Sequence, residues 1–94
     1  NTMKVENIES SKGNKIANQF IIKDDFNNVY FQSYNSVIVK QDYKNDQIKT
    51  YLDQKYWNYS NTTGKYRNIF LGETIKDTRA KIKSGEYILT DLNK

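Results

Sequence analysis

The fold is decided at residues 56–67, which read YWNYSNTTGKYR. Before this segment the side chains alternate with a period of two, and after it the apolar residues follow a helical period. The first half, with Tyr56 and Trp57, is expected to end a strand whose adjacent side chains point to opposite faces. Ser60 or Asn61 is expected to cap a helix. The segment therefore predicts the junction between a sheet and a helical layer.

Four strands are predicted before this junction. They occupy residues 18–23, 29–34, 36–40 and 48–52, and residues 24–28, 34–35 and 41–47 are turn or loop material. On the second strand, Tyr30, Gln32 and Tyr34 are expected to share one face, either beneath the helices or as a platform for nucleic-acid bases. Short strands separated by turns indicate an antiparallel meander.

Two short helices and a last strand are predicted after the junction. The first helix has Tyr66, Ile69 and Phe70 on its apolar side and ends at Gly72. The second begins with a capping box at Thr74, ends near Lys83 and is followed by a strand at residues 87–90. The predicted fold class is α+β, with the order ββββααβ. It combines a small antiparallel sheet of four to five strands with both helices on one side.

One domain is expected over residues 15–94. Residues 1–14 are polar and are interpreted as an arm or an edge strand, and Met3 is the only methionine. We therefore expect the native chain to start at Met3, with the two residues before it carried over from cloning.

The composition contains neither histidine nor cysteine. This removes disulfides and the usual zinc ligands. The acidic pairs Asp24-Asp25 and Asp42/Asp46 lie in turn-like loops, where turn chemistry explains them. No catalytic residue, metal site or cofactor is predicted, and the protein is not expected to be an enzyme. No apolar run approaches the roughly 20 residues that span a bilayer, and the first ten residues lack the core of a signal peptide. We expect a cytoplasmic protein without a membrane partner.

The net charge of +4 comes from the second half of the chain. Residues 1–47 carry six lysines and six acids, whereas residues 48–94 carry nine cations and five acids. A basic half favours an anionic partner, either nucleic acid or an acidic protein surface, although it also keeps a small domain in solution.

Several segments resemble one protein family. They are residues 30–36, 51–60, 62–68, 70–74 and 82–87, and they include the motif Tyr-Trp-x-Tyr-Ser-x-Thr-Thr-Gly-Lys-Tyr-Arg. The family comprises small uncharacterised proteins encoded by phages, plasmids and integrated elements of Gram-positive bacteria. The resemblance covers roughly residues 17–93 and implies no role for any single residue. It implies an accessory protein of a mobile element that counters host defence or handles the element's own DNA.

The leading hypothesis is stoichiometric binding that suppresses a host defence system, in the manner of anti-CRISPR proteins. The partner would be a host defence protein or ribonucleoprotein complex, such as a nuclease or its guide complex. The expected contacts are Tyr56, Trp57, Lys65, Tyr66 and Arg67.

The alternative hypothesis is a basic protein that binds single-stranded DNA or RNA during replication, transfer or regulation of the element. Its expected contacts are Lys65, Arg67, Lys76, Arg79, Lys81 and Lys83 for phosphates, with Tyr30 and Tyr34 for bases. A third hypothesis is a structural module that forms a homodimer.

Overall fold

A computed structural model describes residues 3–93 of the protein. Five strands come first: β1 (Lys4–Glu9), β2 (Lys15–Lys23), β3 (Asn28–Ser33), β4 (Ser36–Lys44) and β5 (Gln47–Asp53). Two helices follow, α1 (Asn61–Leu71) and α2 (Ile75–Ser84), and β6 (Tyr87–Thr90) comes last. The predicted α+β class is confirmed. Residues 4–9, interpreted from the sequence as an arm or an edge strand, form the edge strand β1.

All six strands form one sheet in the order β1-β2-β3-β4-β5-β6. The first five strands are antiparallel neighbours, whereas β6 runs parallel to β5. A parallel neighbour requires a long crossover, which α1 and α2 supply. The prediction of a small antiparallel sheet of four to five strands is therefore only roughly right, because the sheet has six strands and the last one runs parallel to its neighbour.

The loop predicted at residues 41–47 is mostly strand. β4 continues to Lys44, and β5 begins at Gln47, so that only two residues connect them. Asn45 and Asp46 have φ values of 52° and 62°. Two successive positive φ angles are typical of the tight turns that join antiparallel strands without splaying them.

The helix ends follow the predicted capping chemistry. The Ser60 hydroxyl accepts a hydrogen bond from the backbone N–H of Thr63, and Gly72 ends α1 in the left-handed conformation. The Thr74 hydroxyl and the Asp77 carboxylate form the reciprocal capping box of α2. Within residues 3–93 neither helix is long and apolar enough to cross a membrane.

Both helices pack on one face of the sheet. Phe31 in β3 stacks on Phe70 in α1 with their ring centroids 5.7 Å apart, and the hydroxyls of Ser33 and Thr63 share a hydrogen bond of 2.9 Å. The buried apolar core consists of Ile8, Phe31, Ile38, Val39, Leu52 and Tyr87. We call the face of the sheet on which the helices pack the helix-covered face, and the opposite face of the sheet the open face.

Candidate functional site

Tyr56 and Trp57 lie in a turn rather than in a strand. β5 ends at Asp53, whose carbonyl accepts a hydrogen bond from the backbone N–H of Trp57 at 3.0 Å. The Asp53 carboxylate accepts another from the backbone N–H of Tyr56 at 2.8 Å. Both aromatic side chains are half-buried and pack against the core. The expectation that Tyr56 and Trp57 end a strand, with their side chains on opposite faces, is therefore wrong.

Arg67 is buried, with an exposed fraction of 1%. Its Nη1 donates to the carbonyl oxygen of Trp57 at 2.7 Å, and its Nη2 donates to Oδ1 of Asn68 at 2.9 Å. Its guanidinium carbon lies 5.4 Å from the centroid of the Trp57 ring. Burial, and then the nearby charge of Arg79, lower the pKa of Arg67. The expectation that Arg67 is a surface cation is wrong, because its guanidinium is buried and forms a hydrogen bond between α1 and the turn that precedes it.

The five residues expected to bind a protein partner do not form one exposed cluster. Lys65 is exposed on α1, whereas Tyr66 is half-buried against the core, as are Tyr56 and Trp57. The ammonium of Lys65 lies 5.4 Å from the centroid of the Tyr66 ring. Of the set, only Lys65 presents its charge to solvent.

The α2 cations divide into two groups. Lys76, Arg79 and Lys83 are exposed at positions i, i+3 and i+7, which lie on one side of a helix. Lys81 instead donates from Nζ to Oε1 of Glu73 at 2.7 Å. Three of the four α2 cations are therefore open to an external partner.

The Glu73 carboxylate is the centre of a small network that joins α2 to β6. Oε1 also accepts from the Tyr87 hydroxyl at 2.8 Å, and Oε2 accepts from the Thr78 hydroxyl at 2.6 Å. Burial opposes ionisation of Glu73, but the hydrogen bonds from Lys81, Thr78 and Tyr87 lower its pKa below the ordinary value. Burial and the bond to Glu73 raise the pKa of Tyr87 to about 12. The network is structural, and it occupies Lys81.

Tyr30 and Tyr34 lie in different places. Tyr30 is half-buried on β3, and because its neighbour Phe31 points into the core, Tyr30 projects from the open face. Tyr34 follows the end of β3, with a φ of 56° and an exposed fraction of 52%. The expected face of Tyr30, Gln32 and Tyr34 therefore keeps only its first two members, and it is not beneath the helices.

A row of side chains crosses the open face from one edge of the sheet to the other. The strand register places Val5, Ile22, Tyr30, Lys40, Tyr51 and Ile88 directly opposite one another in this order. We call these six residues the open-face row. At roughly 4.8 Å between strands the row is about 24 Å long. Both helices lie on the other face, so no helix of residues 3–93 covers it.

The middle of the open-face row combines aromatic rings with positive charge. The ammonium groups of Lys40 and Lys49 each lie 5.8 Å from the centroid of the Tyr51 ring. Lys40 forms no ion pair within residues 3–93, whereas Lys44 lies 3.8 Å from Asp42. The centre of the row therefore presents two tyrosine rings on either side of an unpaired lysine.

The Tyr30 side chain is fixed at its hydroxyl end. The hydroxyl donates to Oδ2 of Asp24 at 3.1 Å. Burial, and then this bond to Asp24, raise the pKa of Tyr30. The Asp24 carboxylate also accepts two bonds from Asn28, which hold the pKa of Asp24 at about 2. The ring is therefore held in place while its apolar surface remains on the open face.

Phe20, Lys40 and Tyr51 were missed as site residues by the sequence reasoning. Phe20 pairs with Gln32, and Gln32 pairs with Val37, in a second half-buried row beside the first. The period-two pattern places Phe20 and Ile22 on one face but does not tell which face the helices cover. The available signal was the alternation itself, but the strand register that joins these residues into rows is not contained in it.

The described part of the chain, residues 3–93, holds no group of three or more acidic side chains arranged to bind a metal ion. Residues 3–88 match the model of a family described as "Family of unknown function (DUF8033)". No curated protein and no solved structure matches the chain.

Proposed function

The chain belongs to DUF8033, a family of unknown function, and we propose that it binds single-stranded nucleic acid on its open face. The observation that carries this proposal is the open-face row, in which Tyr30 and Tyr51 flank Lys40 on an uncovered sheet. Sheets with exposed aromatic side chains are a recurrent platform for unpaired bases, because each base can stack on a ring.

Unpaired bases fit this surface better than a duplex does. A duplex keeps its base faces stacked inside the helix, so tyrosine rings on a gently twisted sheet have no base face to contact. A flexible single strand can lay successive bases across neighbouring side chains. Base stacking is tolerant of sequence, and no base-specific recognition is proposed.

Positive charge around the rings supplies the second half of the interaction. Lys40 and Lys49 lie beside the Tyr51 ring, and the net charge of the chain is +4. Lysines beside stacked bases can neutralise the phosphates that connect them, which releases counterions and makes the affinity dependent on salt. The proposal therefore includes a phosphate contact at the centre of the row.

Fluorescence anisotropy with labelled oligonucleotides tests the proposal. We expect wild-type protein to bind DNA and RNA strands of about 15 nucleotides more tightly than a duplex of the same sequence at about 50 mM salt. Tyr30→Ala and Tyr51→Ala should each weaken binding about 5- to 150-fold, which corresponds to a stacking contribution of about 1–3 kcal/mol per base.

Phe26→Ala is the matched control, because Phe26 is an aromatic residue that is 69% exposed in the turn between β2 and β3 and lies outside the row. Its affinity should equal that of the wild type. Urea unfolding of each variant checks that the sheet is intact. Equal affinities for strand and duplex, with no loss in the two tyrosine variants, would exclude the proposal.

A protein partner is the second candidate, favoured by the apolar ends of the open-face row. Val5, Ile22 and Ile88 carry no charge, and Val5 is 59% exposed. Apolar surface of this kind is buried in protein interfaces. Suppression of a host defence nuclease or guide complex by a phage or plasmid protein remains a prediction from the sequence.

Affinity purification from a Gram-positive host with an active defence nuclease tests this second candidate. Capture of the nuclease or its guide complex by wild-type protein, and its loss with Ile22→Glu, would support it. Unchanged phage immunity and no captured nuclease would contradict it.

A further inference from the structure

The helices carry a second basic surface on the side of the molecule away from the open face. Lys65, Lys76, Arg79 and Lys83 are all exposed and form no ion pair within residues 3–93. We call these four residues the basic helix surface. The two acids between residues 61 and 84 are already engaged, since Glu73 pairs with Lys81 and Asp77 caps α2. The surface therefore carries a net positive charge, with the exposed Asp77 carboxylate lying beside Lys76 on α2.

A groove between α1 and the start of α2 adds to this positive surface. It has a volume of about 570 Å³, and its lining includes Lys65, Arg67 and Ile75. The Arg67 guanidinium in the groove has only neutral hydrogen-bond partners within residues 3–93, and its Nε has none there. The guanidinium hydrogen-bonds to no carboxylate there, and although the charge of Glu73 acts on it, it adds to the attraction of the groove for an anion.

The two layers of the fold separate this surface from the open-face row. The helices pack on the face that carries Phe31 and Tyr87, whereas Tyr30 and Tyr51 project from the opposite face. The smallest dimension of the molecule is 26 Å. A strand of a few nucleotides that stacks on the open face cannot also reach the basic helix surface.

We propose that one molecule bridges two segments of single-stranded nucleic acid, with bases held on the open face and the phosphates of a second segment on the basic helix surface. The inference rests on the proposed function, because the first contact is the stacking platform. The set of residues expected from the sequence to contact one strand is thereby divided between two strands. The partner of the basic helix surface is a phosphate backbone, because all four residues that define the surface are exposed cations.

Energy transfer between two labelled strands tests the bridging. Donor- and acceptor-labelled oligothymidine strands of about 8 nucleotides cannot pair with each other, and their length lies within the usual site size of about 4–16 nucleotides. With wild-type protein, transfer should rise to a maximum and then fall at excess protein, when each strand occupies its own molecule. Saturation should require two strands per protein.

The decisive variant combines Lys76→Gln, Arg79→Gln and Lys83→Gln, all at exposed positions. It should lose the energy transfer and bind one strand per protein, while the affinity of that strand stays within about threefold of the wild type. The matched control combines Lys4→Gln, Lys12→Gln and Lys15→Gln, which removes the same charge from exposed positions on the β1–β2 hairpin. The control should keep both the transfer and the stoichiometry.

Each failure has a distinct signature. Wild-type protein that binds strands through Tyr30 and Tyr51 but gives no transfer overturns the bridging alone. That absence of transfer is also the result expected if the basic helix surface binds an acidic protein instead of a strand. The bridging is likewise overturned if the variant with Lys76→Gln, Arg79→Gln and Lys83→Gln transfers energy like the wild type, as it would if dimerisation brought the strands together. Absence of both strand binding and transfer overturns the bridging together with the proposed function.

Discussion

Lys65 and Arg67 are two cations on α1, of which the first is exposed and the second is buried. Thr63 and Arg67 are four residues apart and form the buried side of α1, whereas Lys65 lies about 160° around the helix from Arg67 and faces solvent. Arg67 replaces its water contacts with the carbonyl of Trp57 and the side chains of Asn58 and Asn68. Its charge therefore stabilises the junction between sheet and helices.

We predict that Arg67→Ala lowers the free energy of unfolding by about 2–4 kcal/mol, because it leaves the carbonyl of Trp57 without its charged donor and empties a buried volume. Lys65→Ala should change it by less than about 0.5 kcal/mol, as is usual for an exposed position. Urea denaturation at neutral pH measures both values. A loss below about 1 kcal/mol for Arg67→Ala would show that the guanidinium is not structural.

At the scale of elements, the Glu73 carboxylate connects the start of α2 to β6. It accepts hydrogen bonds from Lys81, Thr78 and Tyr87, and its side chain is only 7% exposed. Its pKa in the folded protein lies below the ordinary value of 4.5. Its contribution to stability is therefore fully present above that ordinary pKa and is lost as the pH falls through the folded pKa.

We predict that Glu73→Gln is less stable than the wild type at pH 7 by about 1–3 kcal/mol, since a charged acceptor is replaced by a neutral amide. The difference should shrink as the pH falls below 4.5 towards the folded pKa, because the wild-type carboxylate is then protonated. Urea denaturation across this range provides the test. Other acids, such as Asp53, titrate in both proteins and cancel in the difference. A gap that does not change with pH would contradict the assigned role.

The two glycines of α1 have opposite predicted responses to alanine. Gly72 ends the helix with a φ of 69°, where a Cβ costs about 1–2 kcal/mol. Gly64 lies within the helix, and a Cβ there would meet the Arg67 guanidinium at an ordinary contact distance of 3.7 Å. We predict that Gly72→Ala lowers the melting temperature, whereas Gly64→Ala leaves it unchanged or raises it. The gain in the free energy of unfolding for Gly64→Ala should be at most about 1 kcal/mol. Calorimetry of the pair measures this, and equal shifts in one direction would contradict it.

Local chemistry was predictable from the sequence, and long-range pairing was not. Ser60, Gly72 and Thr74 act on backbone groups a few residues away, so their capping roles can be deduced from spacing alone. The polar end of β4 lacks an apolar alternation, and only the pairing of Tyr43 with Ile48 across the Asn45-Asp46 turn shows it to be strand.

At the scale of the whole molecule, the candidate site is a consequence of topology. Tyr51 reaches the row through its register with Lys40 on one side and Ile88 on the other, 37 residues further along the chain. No pattern within one strand contains that information. The helical crossover covers one face of the sheet, and the half-buried Tyr30, Lys40 and Tyr51 remain together on the other face.

The last prediction separates this site from the general positive charge of the molecule. Lys40→Gln and Lys44→Gln each remove one charge from the net value of +4, but Lys40 lies between Tyr30 and Tyr51, whereas Lys44 projects beside Asp42 with 74% of its side chain exposed. If a phosphate binds at the centre of the row, Lys40→Gln should weaken strand binding severalfold and reduce the slope of log affinity against log salt by about 0.7. Lys44→Gln should leave that slope unchanged. Anisotropy titrations between about 50 and 200 mM salt measure the slopes. Equal changes in the two variants would mean that strands follow the overall field of the protein, and that the open-face row is not their binding site.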